Sequence, residues 1–243
     1  MDQIPSITSA DVRRDEPVVA VLPVGSFEQH GDHLPLATDT LVAAAIGAGV
    51  AARYNVLLLP ALPVSCSQEH SQWPGTVSIS YHTLAYIVTD IEASLRAQGI
   101  NHLVVLNGHG GNYVLSNVVQ TANAERAGSM SLFPTRTDWD TARQAAALES
   151  DAHEDMHAGE LEVSILLASY PDAVREGALT ADSIANDREF LLVHGMGPYT
   201  ANGVIGKPGA ANVDKGKALL VSLVDSFAKH LDALGVADVI RQK

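Results

Sequence analysis

Hydrophobic positions along the chain fall into short dense runs, separated by longer stretches in which apolar residues recur every three or four positions. Residues 17–24 are almost unbroken apolar, and 56–59, 102–106 and 130–133 repeat the pattern at shorter length. Such runs read as buried strands. Between them, 41–53 is an Ala-rich helical stretch that Asp39 or Thr40 can cap. Residues 83–98 carry Leu84, Ile87, Val88, Ile91 and Leu95 at helical spacing and stop at Gly99, and a further helix covers 113–126. A weaker helical stretch spans 139–148, a short helix 163–169 ends before Pro171, and an amphipathic helix covers about 215–234. Residues 1–16 are polar and are expected to lie over the surface, and 172–212 are loop-rich, with Gly195, Gly197, Gly203, Gly206 and Gly209. Strands alternating with helices predict βαβ units: a three-layer αβα sandwich with a mostly parallel central sheet, in a single domain over 1–243.

Right-handed crossovers would bring the carboxyl ends of the first and third strands to one edge, the edge where open α/β sheets bind ligands. The chain places its chemistry there. After the first strand come Glu28, His30, Asp32 and His33 within six residues, then Asp39; after the third comes Asn107-Gly-His-Gly-Gly-Asn112. Glu28 and His30 are two apart, so on an extended segment they share a side. A hydrolytic metal site needs hard or borderline ligands converging from different elements, and a structural loop has no need of buried carboxylates beside two histidines. Rival readings are weaker. Gly-His-Gly-Gly lacks the Lys and Ser/Thr of a phosphate-binding loop, Gly25-Ser26-Phe27-Glu28 is not a nucleophile elbow, and a Cys66–His70 pair would need its own orienting partner.

Composition narrows the classes further. The chain has 243 residues, 47 % of them hydrophobic, enough for a sizeable core, and no apolar stretch reaches the roughly 20 residues of a membrane span. The formal net charge of −13 argues against nucleic acid as a partner. Cys66 is the only cysteine, which excludes an internal disulfide and cysteine-rich zinc modules. The amino terminus lacks the pattern of a signal peptide, so a cytoplasmic location is expected, without a membrane partner.

Residues 24–39 (Val-Gly-Ser-Phe-Glu-Gln-His-Gly-Asp-His-Leu-Pro-Leu-Ala-Thr-Asp), 73–78 (Trp-Pro-Gly-Thr-Val-Ser), 107–112 and 157–162 (His-Ala-Gly-Glu-Leu-Glu) resemble, in order, the motifs of the creatininase family. The resemblance implies an α/β sandwich with two divalent metal ions per chain, zinc foremost, with manganese or iron as alternatives. It implies hydrolysis of the C–N bond of a small cyclic or linear amide through a hydroxide held between the metals. Peptidases and formamide deformylases of biosynthetic pathways are the alternative within the family, and a silent metal- or ligand-binding protein is the alternative outside it.

Position by position, the resemblance makes Glu28, His30, Asp39 and His109 metal ligands, with Asp39 bridging, and His157 the proton-transfer residue. Creatinine hydrolases carry an acid two residues after the histidine of the Asn-Gly-His motif. Gly111 stands there in this chain, and the resemblance to relatives that share Asn-Gly-His-Gly-Gly-Asn implies that the Glu of His-Ala-Gly-Glu, Glu160, supplies the carboxylate instead and, three residues after His157, faces the same site. Gly110 and Gly111 are expected to offer backbone N–H groups to an oxyanion, and His70 either contacts substrate or scaffolds its loop. Trp139 matches the first of two tryptophans that hold creatinine. The second falls near His153, where no tryptophan stands; His153 is the candidate substrate contact there, and the expected substrate moves away from creatinine. A homo-oligomer, with a hexamer as the form, is also implied.

Overall fold

A computed structural model describes residues 4–237; the first three residues of the expected polar surface stretch lie outside the described part. Four strands, β1 (Val19–Val24), β2 (Leu57–Leu58), β3 (His102–Asn107) and β4 (Met130–Phe133), form one sheet in the order β2-β1-β3-β4. Every pairing is parallel, and β1 and β3 run in step from Val19–His102 to Val24–Asn107. Their carboxyl ends are therefore level.

Side chains alternate between the two faces of a strand, and here both faces are buried. Val19, Val21, Val104 and Leu106 enter one core with α2 (Thr38–Arg53), α5 (Arg136–Ala145), α6 (Glu160–Ser169) and α8 (Val213–Ala233). Ala20, Leu22, Val24, Leu103 and Val105 enter the other with α3 (Tyr81–Arg96) and α4 (Val114–Glu125). That is the expected three-layer αβα sandwich, with an all-parallel sheet. Among the described residues no helix is long and apolar enough to cross a membrane.

The elements differ from their sequence readings at their beginnings. The polar amino-terminal stretch contains a short helix, α1 (Ser9–Asp15), closed by a Thr8–Asp11 capping box and burying none of its residues. Helix α2 starts at Thr38 behind Ala37, which makes no side-chain cap, so neither Asp39 nor Thr40 caps it. Asp39 is drawn elsewhere by Ser26, His30 and His109, and the Thr40 hydroxyl donates to the Ser26 carbonyl. Helix α5 starts earlier than expected because Thr135 and Asp138 form a reciprocal cap. Helix α6 begins at Glu160 behind Gly159, three residues before the predicted start. The loop-rich stretch holds several 3-10 turns and the one-turn helix α7 (Leu191–His194), and returns so that Ile205 bridges His157 and Gly206 bridges Ser183.

Two close contacts fix the sheet edge against its neighbours. A Cβ at Gly25 would collide with the backbone of Thr40, so only glycine lets the end of β1 press onto the first turn of α2. On the opposite side of the core, the His230 ring lies between the Ser131 hydroxyl (2.7 Å) and Asp138 Oδ2 (3.0 Å) and packs edge-on against Phe133. This Ser–His–Asp chain ties β4, α8 and α5 together inside the core.

Candidate metal centre

The level ends of β1 and β3 bring the two chemical loops together. Glu28 and His30 follow β1, Asp39 lies in the first turn of α2, and His109 follows β3; all four are buried. Asp39 sits at the middle. Its Oδ1 is 3.2 Å from His30 Nε2, and its Oδ2 accepts from the Ser26 hydroxyl at 2.6 Å and faces His109 Nδ1 at 3.0 Å. Glu28 Oε2 lies 3.2 Å from His109 Nε2, and Oε1 lies 3.2 Å from His70 Nε2. Ligand-type atoms converge in three overlapping sets: Glu28, Asp39 and His109; His30, Asp39 and Glu162; and Glu28, His30 and His157. Asp39 belongs to the first two sets and so joins them.

The supporting bonds orient the rings. His30 Nδ1 donates to the Glu28 carbonyl at 3.1 Å, which leaves Nε2 facing Asp39. His157 Nε2 donates to the Gln29 carbonyl at 2.7 Å, leaving Nδ1 turned toward Glu28 Oε1 at 3.8 Å. A backbone carbonyl holding one ring nitrogen while the other faces the site is the arrangement that metal-binding histidines use. The Gln29 amide donates to His70 Nδ1 and the Gly203 carbonyl, both at 3.0 Å, and so links the β1 loop to the returning chain.

Two expected site residues are placed elsewhere. Glu160 does not reach the cluster. Its carboxylate accepts from Lys215 Nζ (2.6 Å), the Ser150 hydroxyl (2.6 Å) and the backbone N–H groups of Glu149 and Ser150. The acid at the cluster is Glu162, whose Oε2 lies 3.9 Å from His30 Nε2 and accepts from the Ala158 N–H at 2.7 Å. Residues two apart on a helix point to nearly opposite sides, so only one of the pair can face the site. The spacing of His157 and Glu160 carries no helical phase, because His157 precedes the helix in the bridge to Ile205. His153 is exposed, with Nε2 bonded to the Asn186 carbonyl at 2.8 Å, and lies outside the cavities at the cluster.

Gly111 explains why the acid comes from α6. A Cβ there would overlap Glu69 Oε1 and His109 Nε2, so those two side chains occupy the room that a side chain at 111 would need.

Two cavities meet at the cluster. The larger, about 780 Å³, is lined by Trp139, Arg136 and Arg143 among others; the smaller, about 290 Å³, by Glu69, His70, Gly111, Arg188 and Leu191. Both are bounded by His109, Gly110, Tyr113, Met156, His157 and Glu162. Trp139, Gly110, Gly111 and His70 thus all line the cleft around the centre.

The electrostatics fit a site for cations. Both Glu28 carboxylate oxygens are buried without a well-formed hydrogen bond, a costly state for a charged group. Burial, followed by Asp39, pushes Glu28 up to about 7, and burial pushes Glu162 up to about 8 against the pull of His30. Burial opposes charge on His30 and His109, but the carboxylates outweigh it and raise them to about 9 and about 10. Asp39, despite burial, is held well below the usual carboxylate range by His30 and His109. Burial, reinforced by neighbouring histidines, lowers His70 to about 3 and takes His157 well below its ordinary value. The carboxylates hold protons on their neighbours, and the outer two histidines remain neutral. Nitrogen and carboxylate donors of this kind suit zinc or manganese.

An αβα sandwich with buried carboxylates and imidazoles converging at its strand ends defines a hydrolase built around a metal-binding cluster. The profile described as "Creatininase: Creatinine amidohydrolase" matches residues 5–231. The mycofactocin precursor peptide peptidase of Mycobacterium ulcerans (strain Agy99) is 32 % identical over 224 residues, covering 87 % of this chain and 83 % of that protein. The creatinine amidohydrolase of Pseudomonas putida is 29 % identical over 241 residues, covering 93 % and 89 %. A solved creatininase carrying a tryptophan-to-alanine mutation has a TM-score of 0.75 at 26 % identity, over 93 % of this chain and 95 % of that one. Creatininase structures of this fold, 24 % identical to the chain, include a manganese form and a Zn–Zn form. The chain belongs to the creatininase family, and is a hydrolytic enzyme of the amidohydrolase kind.

Proposed function

We propose that this chain hydrolyses the C–N bond of a linear, peptide-like amide at a centre of two divalent cations held by Glu28, His30, Asp39, His109 and Glu162, with Asp39 between them. The observation that carries the substrate part is the pair of cavities meeting at the cluster. Such a cleft accommodates substituents on both sides of the bond to be broken, whereas a small ring needs only one lobe. The similarity to mycofactocin precursor peptide peptidases, at 32 % identity in one of them, points the same way.

When bound, the cations acidify a water and polarise the amide carbonyl. The remaining work falls to side chains. Neutral His157, with its Nε2–H fixed on the Gln29 carbonyl, has Nδ1 free to take up a proton and pass it to the departing nitrogen. The tilted ring of His70, centroid 4.4 Å away and itself held by the Gln29 amide, packs against His157 in that pose. Gly110 and Gly111 border the smaller lobe, where their backbone can approach the carbonyl oxygen without side chains in the way. Trp139 offers a flat apolar wall to the larger lobe. Zinc is the expected metal. Cytoplasmic location and homo-oligomeric assembly, with a hexamer as the expected form, belong to the same reading; exposed Phe190, Leu192 and Val193, next to Leu191 of the smaller lobe, support assembly.

The test is to strip the protein with a chelator, reload it with zinc or manganese, count the bound metal and assay creatinine, an N-formyl amine and short peptides. The expected result is about two ions per chain and metal-restored cleavage of a peptide or other linear amide. Binding of fewer than about one ion per chain after supplementation would sink the metal centre, and turnover of creatinine alone would sink the substrate.

A further inference from the structure

Arg188 is the one Arg or Lys among the residues lining the smaller cavity, whose lining also includes Asp39, Glu69 and Glu162. Its guanidinium carries five N–H donors. Nη1 donates to the Ala185 carbonyl at 2.7 Å and Nη2 to the His153 carbonyl at 2.5 Å, with the His153 ring 3.4 Å from Nη2. Its partners are thus neutral carbonyls and an imidazole rather than a carboxylate. Half-burial without a paired acid lowers its proton affinity, with Asp151 acting against that shift from a distance. Other arginines near the centre are spoken for. Arg143 pairs with Asp155 at 3.0 Å, and Arg136 projects outward beside Asp140 at 3.8 Å. A planar fork held in place by backbone carbonyls, with donors left over and no ion pair among the described residues, suits an anion received in a bidentate manner.

We propose that Arg188 binds a carboxylate of the substrate in the smaller lobe, so that this enzyme selects amides carrying a free carboxylate close to the broken bond, such as a peptide cleaved near its carboxyl terminus. This rests on the hydrolase reading above. A lobe of about 290 Å³ has room for one or two residues beyond the centre and not for a long chain. A singly charged carboxylate also meets less repulsion from Asp39, Glu69 and Glu162 than a doubly charged phosphate would. The proposal also gives His153 a place: it supports Arg188 from outside the cavity through its carbonyl.

The experiment measures binding by calorimetry on the zinc-loaded protein, using a hydroxamate with a terminal carboxylate, its carboxamide twin and its phosphonate twin. Wild type should bind the carboxylate about tenfold to a hundredfold more tightly than the carboxamide. Arg188→Gln should lose that preference while binding the carboxamide as wild type does, and Arg188→Lys should recover part of it. A preference unchanged in Arg188→Gln, or equal weakening of both probes, would overturn the proposal, the second outcome showing that Arg188 only holds its loop. Tighter binding of the phosphonate would overturn the carboxylate assignment. Zinc-loaded wild type that binds all three probes with no preference would overturn the Arg188 proposal alone. Failure of every hydroxamate to bind would overturn the hydrolase reading and this one with it.

Discussion

Glu160 and Glu162 lie two residues apart at the start of one helix and have opposite fates. Glu160 is enclosed by Lys215, the Ser150 hydroxyl and two backbone N–H groups, and these hold its carboxyl below the usual range in spite of burial. Glu162 faces His30 and Asp39, accepts one backbone N–H, and is pushed up to about 8. The same contrast separates two His–Asp clusters. In the core, Ser131, His230 and Asp138 satisfy one another, with Thr135 capping the remaining need of Asp138. At the strand ends, Glu28, Asp39 and Glu162 crowd around histidines, and Glu28 finds no well-formed bond for either oxygen. Residue types are alike in both places. What sets the strand-end cluster apart is Glu28, a buried carboxylate that the chain leaves without a well-formed bond, a cost in stability that an added cation would recover.

The sharpest way to break this contrast is to neutralise each member of the pair. Glu162→Gln should weaken metal binding by more than about a hundredfold, since losing groups that merely support a ligand already costs up to that much, with little change in melting temperature of the metal-free protein. Glu160→Gln should keep its metal yet lose about 1–3 kcal/mol of stability, because Lys215, the Ser150 hydroxyl and two backbone N–H groups lose a charged acceptor while Lys215 keeps Glu149 and the Ala210 carbonyl. Metal analysis together with thermal melting reads both, and a reversed outcome would restore Glu160 as the ligand.

His157→Ala should lower turnover by about a hundredfold or more while leaving metal content near normal. His157 also completes a ligand-type set with Glu28 and His30, so loss of metal in this variant would make His157 a ligand instead of a proton carrier.

A smaller effect is expected from pH. Glu28 and Glu162 bind protons more tightly folded than at their ordinary value of 4.5, so the stability they add is complete below that pH and is lost as pH rises through about 7 and about 8. His30 and His109 likewise stabilise fully below 6.5, a contribution lost as pH rises through about 9 and about 10. The lowered His70 and His157 act on the acid side, where stability falls as pH drops below 6.5. Metal-free protein should therefore melt at progressively lower temperature from pH 6.5 to 9, and zinc should flatten that dependence. Calorimetry across this range checks it; an equal slope with and without zinc would disconnect the cluster from the metal.

The smallest change is predicted for Ser131→Ala. It removes one hydrogen bond from His230 and should cost about 1 kcal/mol with unaltered hydrolysis. A large loss of activity would mean that the Ser–His–Asp chain is more than scaffold.

Much of this molecule is legible along the chain. The dense apolar runs mark all four strands because both faces of a parallel sheet are buried, and β4 falls at 130–133 as read. Helix starts were less accessible: α2 begins without a side-chain cap, since Asp39, the residue best suited to that task, is engaged by three other side chains. For the site, the ligand-rich loop after β1 and the His-Gly-Gly loop after β3 are local in sequence, and right-handed crossovers suffice to bring them together. The sequence by itself thus determined the sandwich, the sheet edge that carries the chemistry, and Glu28, His30, Asp39 and His109 as the residues that meet there. It could not decide between Glu160 and Glu162, because both stand in the same short motif and only the true first residue of α6 sets the helical phase. Nor could it find Arg188, whose neighbours in sequence are unremarkable and whose meaning comes from the cavity it lines. Tertiary structure decided which charges are answered within the chain: it leaves Glu28 without a well-formed bond and Arg188 on neutral carbonyls, the two features on which the proposed cation and anion sites rest.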